Sequence, residues 1–170
     1  MIRTGKPPEK ADDLIFASET ETADTTVGGA NPAAAPKKIK LLIVDDEKEI
    51  HVMTRLVLSD YSFRDATLEF LSAYSASEAK ELIHDHPDAA CILLDVVMEK
   101  NTSGLEVVRY IREKKKNDKI RIILRTGQPG KAPENDIILN YDINDYKEKT
   151  ELTSQKLYTT VTTALRSHAH

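Results

Sequence analysis

Ala89-Ala90-Cys91-Ile92-Leu93-Leu94-Asp95 runs apolar for six residues and then stops on an acid. A run this short reads as a strand, and one without polar alternation reads as a strand buried on both faces. Two more runs have the same build. Ile39–Val44 stops on Asp45-Asp46, and Ile120–Leu124 stops on Arg125-Thr126. Leu68–Tyr74 and Ile143–Lys147 supply two further strands. Between them the spacing turns helical. Residues 47–59 carry Ile50, Met53, Leu56 and Val57. Ser75 and Glu78 have capping-box spacing ahead of Ala79, Leu82 and Ile83, and Ser103 and Glu106 repeat it at the start of Leu105–Glu113. Pro133 opens a short helix to about Asn140. Leu152–Arg166 forms the last helix, with Leu157, Val161 and Leu165 inward. Five strand–helix units with near-continuous apolar strands predict a parallel sheet covered by helices on both faces. The simplest such fold is doubly wound α/β with five strands in the order 2-1-3-4-5.

The remainder of the chain bounds this reading. The 170 residues suffice for one core of ordinary size, and the net charge of -4 offers no basic face for nucleic acid. The single cysteine, Cys91, sits in an apolar run, which predicts a buried thiol and a reducing, cytoplasmic setting. No apolar stretch approaches the ~20 residues of a membrane span, and no basic-then-apolar leader is visible. Residues 1–37 are rich in Ala, Thr, Pro, Asp and Glu and read as a flexible arm with one apolar island, Leu14-Ile15-Phe16. Residues 38–168 form the folded domain.

The polar residues at the strand ends carry the chemistry. In an open parallel sheet, ligands bind beyond the carboxyl ends of the strands, where strand order reverses. The predicted order brings Asp45, Asp46, Asp95, Thr126 and Lys149 to that crevice. Asp45-Asp46 alone reads equally well as a helix cap. Together with Asp95, however, these acids repel one another and call for a cation. Oxygen-only donors with room for water suit Mg²⁺. A carboxylate can also act as a nucleophile and become an aspartyl phosphate. A hydroxyl and an ammonium beside it, Thr126 and Lys149, can then bind the phosphoryl oxygens.

Four stretches in order, Leu41–Glu47, Ile92–Met98, Leu124–Gly127 and Asp145–Lys149, resemble the receiver domains of two-component response regulators over about residues 38–167. The resemblance implies a flavodoxin-like fold and a phosphoacceptor at Asp95. It implies direct Mg²⁺ ligation by Asp46, Asp95 and the Val97 carbonyl, with Asp45 acting largely through water. It makes Thr126 the switch hydroxyl, Lys149 the phosphate-pairing lysine, with Lys147 as its rival, and Tyr146 the switch aromatic. Implied partners are a sensor histidine kinase or phosphotransfer protein and a second receiver in a homodimer, with no direct nucleic acid and no membrane. The implied protein is not an enzyme beyond its own phosphotransfer and autodephosphorylation. Val97, two residues past Asp95, cannot position a water, which implies slow loss of the phosphoryl group.

The chain departs from the family pattern at two places. Glu99 stands where receivers usually have Pro, and Lys149-Thr150 stands where most have Lys-Pro with a cis bond. The stretches from Arg125 to Gly130 and from Asp142 to Thr153 are similar to the subgroup whose longer members continue into an uncharacterised sensor-like domain, an HD-type cyclic-dinucleotide phosphodiesterase or a signalling kinase. Arg125 is expected to face a partner or pair with an acid.

Overall fold

The computed structural model describes residues 37–127, 139–149 and 153–169. The expected arm up to Pro36, the helix from Pro133 as far as Ile138, and the Lys149–Thr150 bond lie outside the described residues. The elements run β1 (Lys37–Val44), α1 (Lys48–Val57), β2 (Ser62–Phe63), β3 (Ala66–Ala73), α2 (Ala76–Asp85), β4 (Cys91–Asp95), α3 (Ser103–Arg109), β5 (Arg121–Thr126), β6 (Asp145–Glu148) and α4 (Ser154–His168). They form one sheet in the order β2-β3-β1-β4-β5-β6. The five long strands are parallel neighbours and have the expected 2-1-3-4-5 order. The sixth, β2, is a two-residue antiparallel addition at the β3 edge, too short to leave a pattern in the sequence.

Strand alternation divides the core in two. Leu42, Val44, Ile92, Leu94, Ile122 and Leu124 pack toward α2 and α3. Leu41, Cys91, Leu93 and Ile123 pack toward the other face, with Leu157, Val161 and Leu165 of α4. Every residue of β4 and β5 is buried, as interior parallel strands require.

Helix ends differ from expectation in instructive ways. Ser75 caps α2, its Oγ accepting from Glu78 N at 3.1 Å. Ser103 does not cap α3. It is the first helical residue, it is fully buried, and its Oγ accepts from Lys100 N at 2.9 Å within the preceding loop. Thr153, whose Oγ1 accepts from Lys156 N at 3.4 Å, caps α4, which therefore begins at Ser154. Helix α3 runs on through Tyr110–Lys114 as a π-helical turn, with Lys115 N donating to Tyr110 O at 2.9 Å. Arg112, in that turn, donates to four carbonyls: Tyr141 at 2.7 Å, Asn117 and Ile120 at 2.9 Å, and Asp142 at 2.8 Å. It ties the end of α3 to the segment that leads into β6.

Candidate functional site

Asp45 follows the last residue of β1, and its N–H donates to Ala73 O of β3 at 3.1 Å. Asp95 ends β4, with the next residue's N–H donating to Arg125 O of β5 at 3.1 Å. These ladder bonds fix the strand ends relative to one another, and the side chains beyond them converge. Asp45, Asp46 and Asp95 each offer a carboxylate oxygen within 4.8 Å of the others. Asp45 and Asp95 are buried, whereas Asp46 is exposed. Thr126, the last residue of β5, is buried. Lys149, one residue past β6, reaches back across 104 positions of sequence. Its Nζ lies 3.0 Å from Asp45 Oδ2, 3.3 Å from Asp95 Oδ2 and 2.7 Å from Glu47 Oε1. Lys147 instead sits 3.8 Å from Asp145. Tyr146 is half-buried in β6, against the core on the α2–α3 side. A cleft of about 350 Å³ opens between Asp46, Glu47, Asp95, Val97, Met98 and Lys149.

The electrostatics follow from this crowding. Burial, and then the charge of Asp45, push the Asp95 carboxyl up to about 6, partly offset by Lys149. Burial alone would depress the Lys149 ammonium, but bonds to Glu47 and Asp45 outweigh it and hold its pKa above the ordinary value. Val97 N donates to Asp95 Oδ1 at 3.3 Å and orients the carboxylate. Three close carboxylates with one ammonium leave an excess of negative charge, and every donor among them is oxygen. That set fits a hard divalent cation such as Mg²⁺ better than a softer metal.

Gly104 holds the loop over this site. A Cβ there would run into Asp95 O and lie 2.7 Å from Val96 Cα. Its own N–H donates to Val96 O at 2.9 Å, so α3 starts directly against the end of β4.

Three further residues near the site were missed or misread from sequence. Among the described residues Arg125 makes no ion pair with an acid. It is 4% exposed and donates from Nη1 to Thr54 Oγ1 of α1 at 3.0 Å. Buried His51 bonds through Nε2 to Asp45 O at 2.8 Å and so steadies the strand end. Glu99, in the usual proline position, accepts from Ala76 N at the start of α2 at 3.2 Å. An exposed side chain acting on a distant element leaves no local signal in sequence.

The response regulator receiver domain family matches residues 41–162. The chain belongs to that family. Over 128 residues it is 48% identical to 3'3'-cGAMP-specific phosphodiesterase 2 of Vibrio cholerae, an alignment that takes in 75% of this chain and 24% of the relative. The chain thus spans about a quarter of that relative's length. Solved structures of the same fold include the receiver domain of an HD domain-containing protein from Pseudomonas fluorescens Pf-5, at TM-score 0.62 and 20% identity, covering 82% of this chain and 95% of that one. Another is a CheY-like receiver from Methanospirillum hungatei, at TM-score 0.60 and 19% identity, covering 78% and 98%. The receiver fold and its subgroup are therefore as the sequence indicated. The expectation that the protein is not an enzyme is overturned, because the 48%-identical relative is one. The physical reason is that the alignment takes in only the receiver part of that relative, whose residues carry no trace of what the rest of it does. Among the described residues no helix is long and apolar enough to cross a membrane.

Proposed function

We propose that this receiver takes a phosphoryl group on Asp95 from a sensor histidine kinase or phosphotransfer protein in the cytoplasm. The observation that carries the reading is the meeting of Asp45, Asp46 and Asp95 within 4.8 Å, with Lys149 Nζ 3.3 Å from Asp95 Oδ2. An Asp95 oxygen attacks phosphorus, the bond from phosphorus to the donor atom breaks, and the donor leaves with that electron pair. Asp45, Asp46, Asp95 and the Val97 carbonyl would hold Mg²⁺, which neutralises charge on the transferring group when bound. Lys149 leaves its acid partners to pair with the phosphoryl oxygens, and Thr126 donates to another. Tyr146 then follows Thr126 inward and biases the face built by β5, β6 and α4, which a partner or a second receiver reads.

The test is intact mass after incubation with Mg²⁺ and acetyl phosphate, for the wild type and Asp95→Ala. A gain of one phosphoryl group, absent in the variant, is expected. Failure to gain it under conditions where Mg²⁺ binds removes the acceptor reading. In the same samples the phosphoryl group should persist, since the Val97 side chain offers no polar atom to orient a water; decay within seconds counts against that role. The 48% identity to an enzyme acting on 3'3'-cGAMP supports an output in cyclic-dinucleotide hydrolysis, controlled by this switch.

A further inference from the structure

The loop joining β4 to α3, residues 96–102, forms one wall of the acidic cleft through Val97 and Met98. Its internal bonds are local. Met98 N and Ser103 N both donate to Lys100 O at 3.2 Å, Lys100 N donates to Ser103 Oγ, and Gly104 N returns to Val96 O. Val97 N donates to Asp95 Oδ1 at the end of β4, and the bonds to Ser103 and Gly104 reach the start of α3, but none of them reaches α2. Glu99 does. Its carboxylate accepts from Ala76 N, at 3.2 Å to Oε2 and 3.4 Å to Oε1, across 23 residues of sequence.

The receiving end suits an acid. Ala76 is the first residue of the ten-residue helix α2, where N–H groups lack intrahelical partners and the dipole favours negative charge. Ser75 Oγ already accepts from Glu78 N, and Ser75 O accepts from Ala79 N, so Glu99 serves one of the two first-turn donors that those bonds do not reach.

We propose that Glu99 is a positioning residue for the cation site. By capping α2 from the neighbouring loop, it fixes the backbone two residues after Val97, and with it Val97 itself, whose N–H bonds Asp95 and whose carbonyl is the proposed ligand. This rests on the cleft being a Mg²⁺ site, and the test separates the two ideas. Mg²⁺ affinity is measured by titration calorimetry, and the fold by melting in EDTA. Absence of Mg²⁺ binding by the wild type would overturn the site itself and the inference with it.

Given wild-type binding, Glu99→Ala should weaken Mg²⁺ about tenfold, the range seen when an outer partner of a metal ligand is lost. Glu99→Gln keeps an acceptor for Ala76 N without the charge and should recover most of the affinity. Ala76→Pro removes the donated N–H at a helix position that accepts proline. It should reproduce the loss, and the double variant with Glu99→Ala should be no weaker than either single one. Unchanged affinity in Glu99→Ala would overturn the inference. So would equal losses in Glu99→Ala and Glu99→Gln, which would make Glu99 a distant attracting charge instead of a tether. Fully additive losses in the double variant would count against it equally.

Discussion

Asp95 illustrates how one residue can be costly to the fold and needed for the site. Burial and the neighbouring Asp45 raise its carboxyl from an ordinary 3.8 to about 6 in the metal-free protein. The folded state therefore holds this proton more tightly than the unfolded chain does. Such a group stabilises the fold below the unfolded value, and that contribution is lost as pH rises through the folded one. Above about pH 6 the ionised carboxylate is a penalty, one that Asp95→Asn removes. In EDTA at about pH 8, Asp95→Asn should be more stable than the wild type by about 2 kcal/mol, after allowance for solvent screening. The gap should close by about pH 4. Urea unfolding at the two pH values checks this, and a variant no more stable at the higher pH would mean that the acids do not crowd one another. Gly104 makes the complementary case, a residue needed because it has no side chain. A methyl group there meets the backbone of Asp95 and Val96, which cannot yield without moving Asp95. Gly104→Ala should cost about 3 kcal/mol, measured by the same unfolding. A Cβ on Gly127 would lie 3.5 Å from Lys149 Cδ, an ordinary contact with a flexible side chain, so Gly127→Ala should be far milder.

At the scale of elements, what could be read from sequence was what repeats locally. The interior strands β4 and β5 announce themselves because every residue in them is buried. Their terminal Asp95 and Thr126 were therefore legible as strand ends from the amino-acid pattern alone. Strand β6 was legible only to within two residues, for a physical reason. Asn144 completes the ladder with β5 through its side chain, Oδ1 accepting from Ile122 N at 2.9 Å while its own N–H donates to Ile122 O at 2.8 Å. Regular pairing therefore begins only at Asp145, although Ile143 is already in the core. The capping-box spacing of Ser103 and Glu106 misled because Gly104 draws the helix start back against β4 and turns Ser103 into a buried loop anchor. Arg112 was illegible altogether: its four acceptors are main-chain carbonyls, which carry no side-chain signature. Those bonds hold the approach to β6, and hence Tyr146 and Lys149, against the end of α3. Arg112→Ala should cost about 3 kcal/mol, since hydrogen bonds to a charged group are the stronger kind and four carbonyls lose theirs. Arg112→Lys should do little better, because one ammonium cannot fan out to four carbonyls as the planar guanidinium does. Recovery of wild-type stability by Arg112→Lys would show that charge alone, without the fan of donors, suffices.

For the whole molecule, the joining of site and core makes stability itself a readout of the cation. Cys91 lies on β4 at the centre of the sheet, between β1 and β5, and burial pushes its thiol up to about 12. It touches the face covered by α4, so a reagent reaches it only when that layer comes away or the domain unfolds. A strand at the centre of a parallel sheet exchanges with solvent through the largest openings a domain makes. Iodoacetamide at about pH 8 should therefore leave native Cys91 unmodified on the time scale that labels it fully in urea. The slow native rate should give the same unfolding free energy as a urea titration. On the proposed reading the folded acids bind Mg²⁺ and the scattered ones of the unfolded chain do not, so at about a hundred times its dissociation constant the ion should stabilise the fold by about 2.7 kcal/mol. The labelling rate should fall by the same hundredfold factor. A rate insensitive to Mg²⁺ would mean that Cys91 is exposed by partial undocking of α4 that leaves the acidic site intact. A rate that falls in step with the urea measurement would mean that the acidic site and the centre of the sheet open together as one unit.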